Sequence, residues 1–401
     1  MSGHIVIAGG GIGGLSTAMG LAGAGFQVTV LEQADVLGEI GAGIQIGPNA
    51  FHSMDYLGVG EAARKIAVYI DDLVLMDAIS GENVAKIPVN EPFRKRFGNP
   101  YAVIHRADLH GVFLKACQEH PNVELHTSVH VTGYKQSSES VQVTTASGQT
   151  FSGDALIGAD GVRSKIREQM TGGDAKGDSI RISGHVAYRA VLPIEEMPEQ
   201  LRWNAATLWA GPKCHLVHYP LQGWKTFNIV ATFDGGETEI VSNQPGSRDE
   251  ILSRFAGANE KPLSILTKPR EWRRWVLGDR EPIDNWTDGN VVLLGDAAHP
   301  TLQYFAQGAA MALEDAVCLT DKLSHFGGNF NEVFKSFQQD RMVRSYRVVL
   351  NSREIGKHIY HPEGMHRHIR NSIMSQKTPE DFYQHLQWLY GSNGLKNTGE
   401  V

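Results

Sequence analysis

Apolar and polar residues at the start of the chain are arranged in a pattern that indicates strand, turn, helix and strand. A short apolar run rich in β-branched residues, His4 to Ala8, has the length of a buried strand. Glycines follow it, and the segment from Leu15 to Ala24 has helical periodicity before a second apolar run, Gln27 to Leu31. The pattern predicts a βαβ unit whose first turn is rich in glycine.

The middle of the chain has the shorter period of β-structure. Leu73 to Met76 and Val84 to Val89 are strand-like and are separated by a turn sequence, and the residues from Gly184 to Phe233 are β-rich with several aromatic side chains. Between these parts, Ala107 to Gln118 has helical periodicity. We therefore expect a hairpin that interrupts the α/β pattern, and a separate, mostly antiparallel sheet.

The α/β pattern returns late in the chain. Val291 to Leu294 is a continuous apolar run, as in a strand that is buried on both faces, and helix-like segments follow from Ala309 to Leu323 and from Asn331 to Leu350. The fold is therefore predicted to be of the α/β class with a discontinuous α/β domain. The predicted division gives residues 1–70, 100–178 and 280–350 to this domain, 71–99 and 179–279 to the sheet domain, and 351–401 to a C-terminal helical segment.

Composition narrows the functional classes. The formal net charge is −7 and the pI is about 6.2, so the chain has no basic surplus for a nucleic acid backbone or an anionic membrane surface. Its three cysteines, Cys117, Cys214 and Cys318, lack the spacing of a metal site or a redox pair, which favours the cytoplasm and no metal. Residues 4–26 are apolar but interrupted by glycines and without a basic flank, so we expect neither a signal peptide nor a membrane span.

The glycines after the first strand form the Gly-x-Gly-x-x-Gly pattern of a dinucleotide site. Gly9 makes the turn, Gly11 lets a phosphate approach the backbone, and Gly14 allows the helix to pack closely on the strand. Glycine-rich turns also occur without a ligand, but Glu32 ends the second strand where a carboxylate can bind a ribose hydroxyl. Because that carboxylate would repel a 2′-phosphate, the motif suits FAD or NAD and does not by itself choose between them.

Two further motifs lie downstream. Gly295-Asp296-Ala297-Ala298-His299-Pro300 follows the late apolar run and precedes Gln307-Gly308 at the start of a helix, and the segment Gly158 to Arg167 contains the pair Asp160-Gly161. In this order and with these separations, the three motifs resemble those of the group-A flavoprotein monooxygenases, the aromatic hydroxylases typified by para-hydroxybenzoate hydroxylase. The resemblance covers about residues 3 to 350 and implies an FAD domain of that type.

The resemblance implies roles for individual residues. Asp296 would bind the ribityl chain of FAD, and Gly308 would begin a helix whose positive N-terminus faces the N1 and O2 edge of the flavin. Asp160 would lie near FAD and the path of the nicotinamide coenzyme, and Arg106 would touch FAD. Each residue also has a plainer explanation: Asp296 as a helix cap, Asp160 as a turn residue and Arg106 as a surface arginine.

The same resemblance implies the reaction. NADH reduces the bound FAD, O2 adds to form the C4a-hydroperoxide, and its terminal oxygen passes to an electron-rich aromatic ring. The chain has no second Gly-x-Gly-x-x-Gly unit, which favours a transient site for NADH. A phenol has a pKa of about 10, so ionising it at pH 7 needs about 4 kcal/mol of preferential stabilisation, part of which a histidine can supply.

The segment Gly211 to Pro220 contains the candidate histidine. On a strand, His215 and Tyr219 share one face while His218 points to the other. Together with Leu302-Gln303-Tyr304, this segment resembles the family members that hydroxylate 3-hydroxybenzoate at position 6 to give 2,5-dihydroxybenzoate (gentisate). That resemblance implies that His215 and Gln303 bind the substrate hydroxyl and that Tyr219 is a neighbouring pocket residue. Without a flavin nearby, a structural histidine is the commoner case.

Several alternatives stay open. The carboxylate of an aromatic acid needs a cationic or hydrogen-bonding partner, and neither Lys213 nor Arg189 is assigned to it. Salicylate 1-hydroxylase and 6-hydroxynicotinate 3-monooxygenase are alternatives within the family, whereas an FAD oxidase or dehydrogenase and a flavoprotein without catalytic activity are alternatives of other classes. His299 is expected to support the flavin loop, and the helices from Ile355 to Trp388 are expected to form a homodimer contact.

Overall fold

The α/β part and the antiparallel part of the chain form separate sheets. The computed structural model describes residues 3–38, 42–137 and 140–391. In chain order its strands are β1 (His4–Ala8), β2 (Gln27–Leu31), β3 (Gly43–Ile46), β4 (Val68–Tyr69), β5 (Asp72–Asp77), β6 (Asn83–Pro88), β7 (Ala102–His105), β8 (Val123–His126), β9 (Val131–Gln136), β10 (Val141–Thr145), β11 (Thr150–Gly153), β12 (Ala155–Gly158), β13 (Ile180–Pro193), β14 (Ala205–Gly211), β15 (Cys214–Leu221), β16 (Thr226–Asp234), β17 (Gln244–Pro245), β18 (Arg273–Arg280), β19 (Thr287–Asp288) and β20 (Val291–Leu293).

Helices connect these strands and cover the sheets. The α-helices within the described ranges are α1 (Ile12–Gly23), α2 (Pro48–Tyr56), α3 (Gly60–Ile66), α4 (Glu91–Phe97), α5 (Arg106–Glu119), α6 (Lys165–Thr171), α7 (Arg248–Arg254), α8 (Glu260–Leu266), α9 (Gly308–Phe326), α10 (Phe330–Ile355), α11 (Gly364–Met374) and α12 (Pro379–Tyr390). Short 3-10 turns span Gly173–Lys176, Ile194–Glu196, Glu199–Leu201, Gly295–Ala297 and Gln303–Phe305, and a π-helical turn spans Gly356–Tyr360.

The strand β1 lies inside a six-stranded sheet with the order β19-β20-β12-β1-β2-β8. Neighbouring strands pair in parallel, except that β19 is antiparallel to β20. Ile5, Val6 and Ile7 are completely buried, as expected for a strand that is covered on both faces. Helix α1 packs against α9, and both helices contribute to the core of this sheet. The predicted βαβ unit is confirmed.

The second large sheet has eight strands in the order β17-β18-β13-β16-β15-β14-β5-β6. Its neighbouring strands are antiparallel except for the parallel pair β5 and β14. One face packs against α7 and α8 through a core that includes Trp209, Leu216 and Ile251. Because side chains alternate along a strand, His215 and Tyr219 lie on the opposite face.

The C-terminal segment closes over this opposite face. The π-helical turn Gly356–Tyr360 follows α10 and packs against β14. A Cβ atom at Gly356 would lie 2.6 Å from Cε2 of Tyr304, so the glycine allows the turn to approach the tyrosine ring. This approach brings Tyr360 and His361 to the sheet. Residues 392–401 of the predicted C-terminal segment lie outside the described residues.

The predicted fold class is confirmed: a discontinuous α/β part is combined with a mostly antiparallel second sheet and C-terminal helices. The strands of the second sheet come from residues 72–88 and 180–280. The domain boundaries given above stay a prediction. None of the described helices has the length and apolar character that crossing a membrane requires.

Candidate active site

A cavity of about 820 Å³ is lined by residues of both large sheets. This volume falls in the range of roughly 300–1,000 Å³ that is typical of small-molecule and cofactor sites. Gly14 does not line it, although the sequence places this glycine in the same motif as Gly9 and Gly11. The sequence-predicted residues that line the cavity are Gly9, Gly11, Glu32, Arg106, Asp160, His215, Tyr219, Asp296, Gln303 and Gly308.

The glycine turn forms one end of the cavity. Gly9 has a φ of 109°, and a Cβ atom there would lie 2.2 Å from the carbonyl oxygen of Ala159. A Cβ atom at Gly14 would lie 1.9 Å from the carbonyl oxygen of Gly9, which explains why α1 needs glycine at this position to pack on the turn. A Cβ atom at Gly11 would meet nothing within 4 Å, so the backbone at the start of α1 is open to a phosphate.

Glu32 is held at the end of β2 by backbone donors. Its Oε2 atom accepts a hydrogen bond from the backbone N–H of Gly10 at 2.7 Å, and its Oε1 atom accepts one from the N–H of Ala34 at 2.9 Å. A carboxylate has about four acceptor sites, so each oxygen can accept a further hydrogen bond from a ribose hydroxyl. The residue is therefore positioned before any ligand binds.

Asp160 combines a helix cap with a free acceptor. Its Oδ2 atom accepts a hydrogen bond from the backbone N–H of Lys165 at 2.8 Å, at the start of α6. Its Oδ1 atom is buried and has no hydrogen-bond partner among the described residues. Burial raises the pKa of this carboxyl group, while hydrogen bonds from Ser164 and from backbone N–H groups oppose the shift. The plainer explanation and the cofactor role are therefore compatible.

Asp296 and Gly308 lie close together at the carboxyl edge of the same parallel sheet, where the glycine turn also lies. Asp296 belongs to the 3-10 turn that follows β20, and Gly308 begins α9. The Oδ1 atom of Asp296 is 4.0 Å from the position that a Cβ atom of Gly308 would take. The first N–H groups of a helix have no partner within the helix, so the N-terminus of α9 offers donors and a partial positive charge to the cavity.

His299 supports this region from inside the protein, as the sequence suggests. It does not line the cavity, and its Nε2 atom hydrogen-bonds Oδ2 of Asp315 at 2.6 Å. The same carboxylate accepts hydrogen bonds from Nε of Arg341 at 2.7 Å and from the N–H of Gly295 at 3.1 Å. Burial raises the pKa of Asp315, but His299 and Arg341 outweigh burial and lower it to about 2. An ionised carboxylate thus fixes the turn that carries Asp296.

His215 is paired with a second buried histidine. Its Nδ1 atom lies 2.6 Å from Nε2 of His361, while its Nε2 atom is buried without a partner among the described residues. Burial lowers the pKa of His215 well below 6.5, and His361 and His185 lower it further. The imidazole is therefore neutral near pH 7. When its Nδ1–H donates to His361, its Nε2 atom carries a lone pair that can accept a hydrogen bond.

Aromatic residues surround this pair. The ring of Tyr360 lies 4.8 Å from that of His215 and 4.9 Å from that of Tyr304. The hydroxyl group of Tyr304 hydrogen-bonds Nδ1 of His185 at 2.5 Å. Sequence reasoning missed both Tyr360 and His361. They follow a long helix in a segment without a motif, and only the tertiary path of the chain brings them to the strand.

Gln303 is oriented from both sides. Its side-chain nitrogen donates to Oγ1 of Thr232 at 3.0 Å, and its oxygen accepts a hydrogen bond from Nη2 of Arg189 at 3.3 Å. Because an arginine side chain is only a donor, this contact fixes which end of the amide is the oxygen. Gln303 thus joins the sheet to the loop that follows the Gly-Asp motif.

The two residues left unassigned by the sequence have different environments. Lys213 lies in the β14–β15 turn with 61% of its side chain exposed, and its Nζ atom is 3.6 Å from Oε1 of Glu363. Arg189 lines the cavity, whereas Lys213 does not. Tyr219 also lines it and is buried, and a Cβ atom at Gly43 would lie 2.5 Å from its Cε2 atom.

Comparison with known proteins identifies the family. Residues 3–352 match the family described as "FAD binding domain". The 3-hydroxybenzoate 6-hydroxylase of Polaromonas naphthalenivorans is 50% identical over 389 residues, which cover 97% of this chain and 96% of the relative. The chain belongs to the FAD-dependent aromatic hydroxylases. The 3-hydroxybenzoate 6-hydroxylase 1 of Aquipseudomonas alcaligenes is 47% identical to the present chain over 398 residues, which cover 99% of each chain.

A solved structure confirms the fold of this hydroxylase. The crystal structure of Klebsiella pneumoniae HpxO complexed with FAD and uric acid has a TM-score of 0.84 and 24% sequence identity, covering 96% of this chain and 95% of that one. FAD is the cofactor of the family, and the cavity fits it. The open backbone at Gly11, the unpartnered carboxylate oxygen of Asp160 and the helix N-terminus at Gly308 supply the donor and acceptor groups that a flavin dinucleotide requires.

Proposed function

We propose that this hydroxylase converts 3-hydroxybenzoate into 2,5-dihydroxybenzoate (gentisate), with NADH as the reductant and O2 as the oxidant. The observation that carries the proposal is the buried pair of His215, which lines the cavity, and His361; Nε2 of His215 has no hydrogen-bond partner among the described residues. Such a nitrogen can accept the hydrogen of a phenol. The relatives from Polaromonas naphthalenivorans and Aquipseudomonas alcaligenes support the choice of 3-hydroxybenzoate.

In this proposal the phenol is activated by proton transfer. The O–H bond of the substrate breaks, and the proton moves to Nε2 of His215 while Nδ1–H of the same ring donates to His361. Burial disfavours an isolated imidazolium, so the proton is accepted only when the phenolate forms beside it. A second neutral imidazole at Nδ1 disperses part of the positive charge. When bound and reduced, FAD supplies the activated oxygen.

The position of the hydroxyl group determines the product. A phenolate oxygen increases the electron density at the ortho and para carbons, and position 6 of 3-hydroxybenzoate is para to its hydroxyl group. In this proposal Gln303 binds the substrate hydroxyl group together with His215, and Tyr219 is a neighbouring pocket residue; all three residues line the cavity. Oxygen transfer to position 6 then gives gentisate.

The proposed cofactor contacts follow the same division of the cavity. Gly9 and Gly11 would admit the pyrophosphate, Glu32 the adenosine ribose, and Asp296 the ribityl chain. Arg106, Asp160 and Gly308 also line the cavity and complete the proposed FAD site. NADH would bind transiently, because the sequence contains one Gly-x-Gly-x-x-Gly unit.

Contact between two copies through the C-terminal helices also stays a prediction. Analytical sedimentation of the purified protein would measure its oligomeric state.

The first experiment compares possible substrates. FAD-loaded protein is given NADH and 3-hydroxybenzoate, salicylate or 6-hydroxynicotinate, and oxygen consumption and products are measured. We expect gentisate from 3-hydroxybenzoate, with one NADH and one O2 consumed per product. One atom of the labelled O2 should appear in the new hydroxyl group of the product. Catechol from salicylate alone would favour salicylate 1-hydroxylase, and oxidised substrate without labelled oxygen would favour an oxidase or dehydrogenase. If no aromatic acid stimulates NADH oxidation, a flavoprotein without catalytic activity is favoured.

The histidine is tested by a matched pair of variants. His215→Asn should abolish hydroxylation while FAD stays bound, because no group remains to accept the phenol proton. His218→Asn is the control, since His218 lies on the other face of β15, where its Nε2 atom accepts a hydrogen bond from Nε1 of Trp209. Equal loss of activity in both variants at equal FAD content would contradict the role of His215.

A further inference from the structure

Arg189 is a cation that lines the cavity and forms no ion pair with a carboxylate in the described parts of the chain. It lies on β13, and the only hydrogen bond of its side chain in the described part of the protein is the 3.3 Å contact with Gln303. Its Nε atom is buried and has no partner among the described residues. Several buried arginines, by contrast, pair with carboxylates, among them Arg167 with Asp178, Arg341 with Asp315 and Arg344 with Glu314.

The environment of Arg189 favours an anion. Burial lowers the pKa of the guanidinium group, Tyr219 opposes this shift and Arg106 adds to it, but arginine remains charged in proteins. Trp275 covers one face of the group, with its ring centroid 5.2 Å from Cζ. The planar edge that carries the unpartnered Nε has the geometry to donate two parallel hydrogen bonds to a carboxylate. A buried charge without a partner is costly, so binding an anion removes that cost.

The register of the sheet gives the distance from Arg189 to His215. Arg189 pairs with Val230 on β16, and His215 pairs with Thr232, two residues further along the same strand. With strands about 4.8 Å apart and a rise of about 3.3 Å per residue, the Cα atoms of Arg189 and His215 are about 12 Å apart. Both side chains lie on the cavity face, and Gln303 links Arg189 to Thr232, the cross-strand neighbour of His215.

We infer that Arg189 binds the carboxylate of the aromatic acid, an assignment that rests on the proposed function. A ring with a carboxylate at position 1 and a hydroxyl at position 3 places the acid at Arg189 and the phenol at His215. Lys213 is unsuited to this role, because it is exposed, pairs with Glu363 and does not line the cavity. The phosphates of FAD belong to the glycine turn at the start of α1, on the other large sheet.

The test measures ligand affinity and FAD content of the purified holoprotein. Arg189→Met removes the charge and keeps a long side chain, and Arg189→Lys keeps the charge but lacks the paired donors of the planar guanidinium group. Lys213→Met is the control. The ligands are 3-hydroxybenzoate, salicylate, benzoate and the neutral amide 3-hydroxybenzamide. Binding of each ligand is measured by the change in flavin absorbance. We expect Arg189→Met to weaken binding of the acids by about 10- to 100-fold, with affinity for the amide within about twofold.

The remaining outcomes are equally informative. Arg189→Lys should retain part of the affinity, and Lys213→Met should bind every ligand as the unaltered protein does. The inference is wrong if Arg189→Met weakens acid and amide equally, leaves the acids unaffected or releases FAD, or if no benzoate binds to the unaltered protein. Benzoate has no hydroxyl group, so its affinity tests Arg189 whichever hydroxy acid is hydroxylated, and product analysis tests the proposed function separately.

Discussion

His361 offers the sharpest test of how the phenol is activated. The substitution His361→Leu removes the nitrogen that lies 2.6 Å from Nδ1 of His215 and leaves that buried N–H without an acceptor. An unsatisfied buried donor costs about 1–3 kcal/mol, and the cost is larger when the ring carries the phenol proton. We therefore expect the pKa of the bound phenol to rise by about 1–2 units, since one unit corresponds to about 1.4 kcal/mol.

The assay follows the ionisation of the bound substrate directly. The nitrophenol analogue 3-hydroxy-4-nitrobenzoate changes its visible absorption when it ionises, so difference spectra across a pH series give its pKa on the FAD-loaded protein. His215 does not titrate in the free enzyme between pH 6 and 8, because burial and its neighbours hold its pKa well below 6.5. The transition in that range therefore belongs to the phenol.

Two further variants separate positioning from simple packing. His361→Gln restores an acceptor and should recover part of the shift, while His358→Leu changes an exposed histidine of the same π-helical turn and should change nothing. An unchanged phenol pKa in His361→Leu, together with a raised one in His215→Leu, would refute the reasoning. In that case His361 only fills space.

The remaining predictions concern the framework. Gly14→Ala should lower the melting temperature and FAD content, because its Cβ atom would lie 1.9 Å from the carbonyl oxygen of Gly9, whereas Gly23→Ala meets nothing within 4 Å and should leave both unchanged. Glu314→Gln should destabilise the protein by about 3–5 kcal/mol in denaturant titrations, because it removes the carboxylate that pairs with buried Arg344 and one of the two that pair with Arg341. Burial raises the pKa of Glu314, but its arginine neighbours lower it from 4.5 to about 2, and Asp315 also reaches about 2. Their stabilisation is complete above about pH 4.5 and is lost as the pH falls towards 2, so the melting temperature should drop over that range and less steeply in Glu314→Gln.

The cofactor end of the cavity could be predicted because its constraints are local. Gly9 needs a positive φ and a close contact with a neighbouring strand, and Gly14 needs a close contact with Gly9, so the backbone permits only glycine at both positions. Glu32 is tied to the same turn through the N–H of Gly10. A short stretch of chain therefore contains the geometry and most of its reasons.

The substrate end could be predicted only in part, because its contacts join distant parts of the chain. Alternation along β15 places His215 on the face of Tyr219, but no periodicity indicates that His361, 146 positions later, lies against it. That contact depends on where α10 ends and on Gly356 letting the turn approach Tyr304. Arg189 was likewise ambiguous, since its lack of a carboxylate partner is a property of the folded protein.

The two polar ends of the substrate region differ in a way that determines how a hydroxy acid binds. 3-Hydroxybenzoate could in principle enter with its carboxylate at either end. If His215 were protonated, it would attract the carboxylate as Arg189 does, and both orientations would be populated. Burial and the neighbouring histidines keep His215 neutral, while Arg189 remains charged despite its burial. In the proposed binding mode, the same burial that makes His215 a weak base in the free enzyme therefore directs the carboxylate to Arg189 and leaves the phenol at the imidazole.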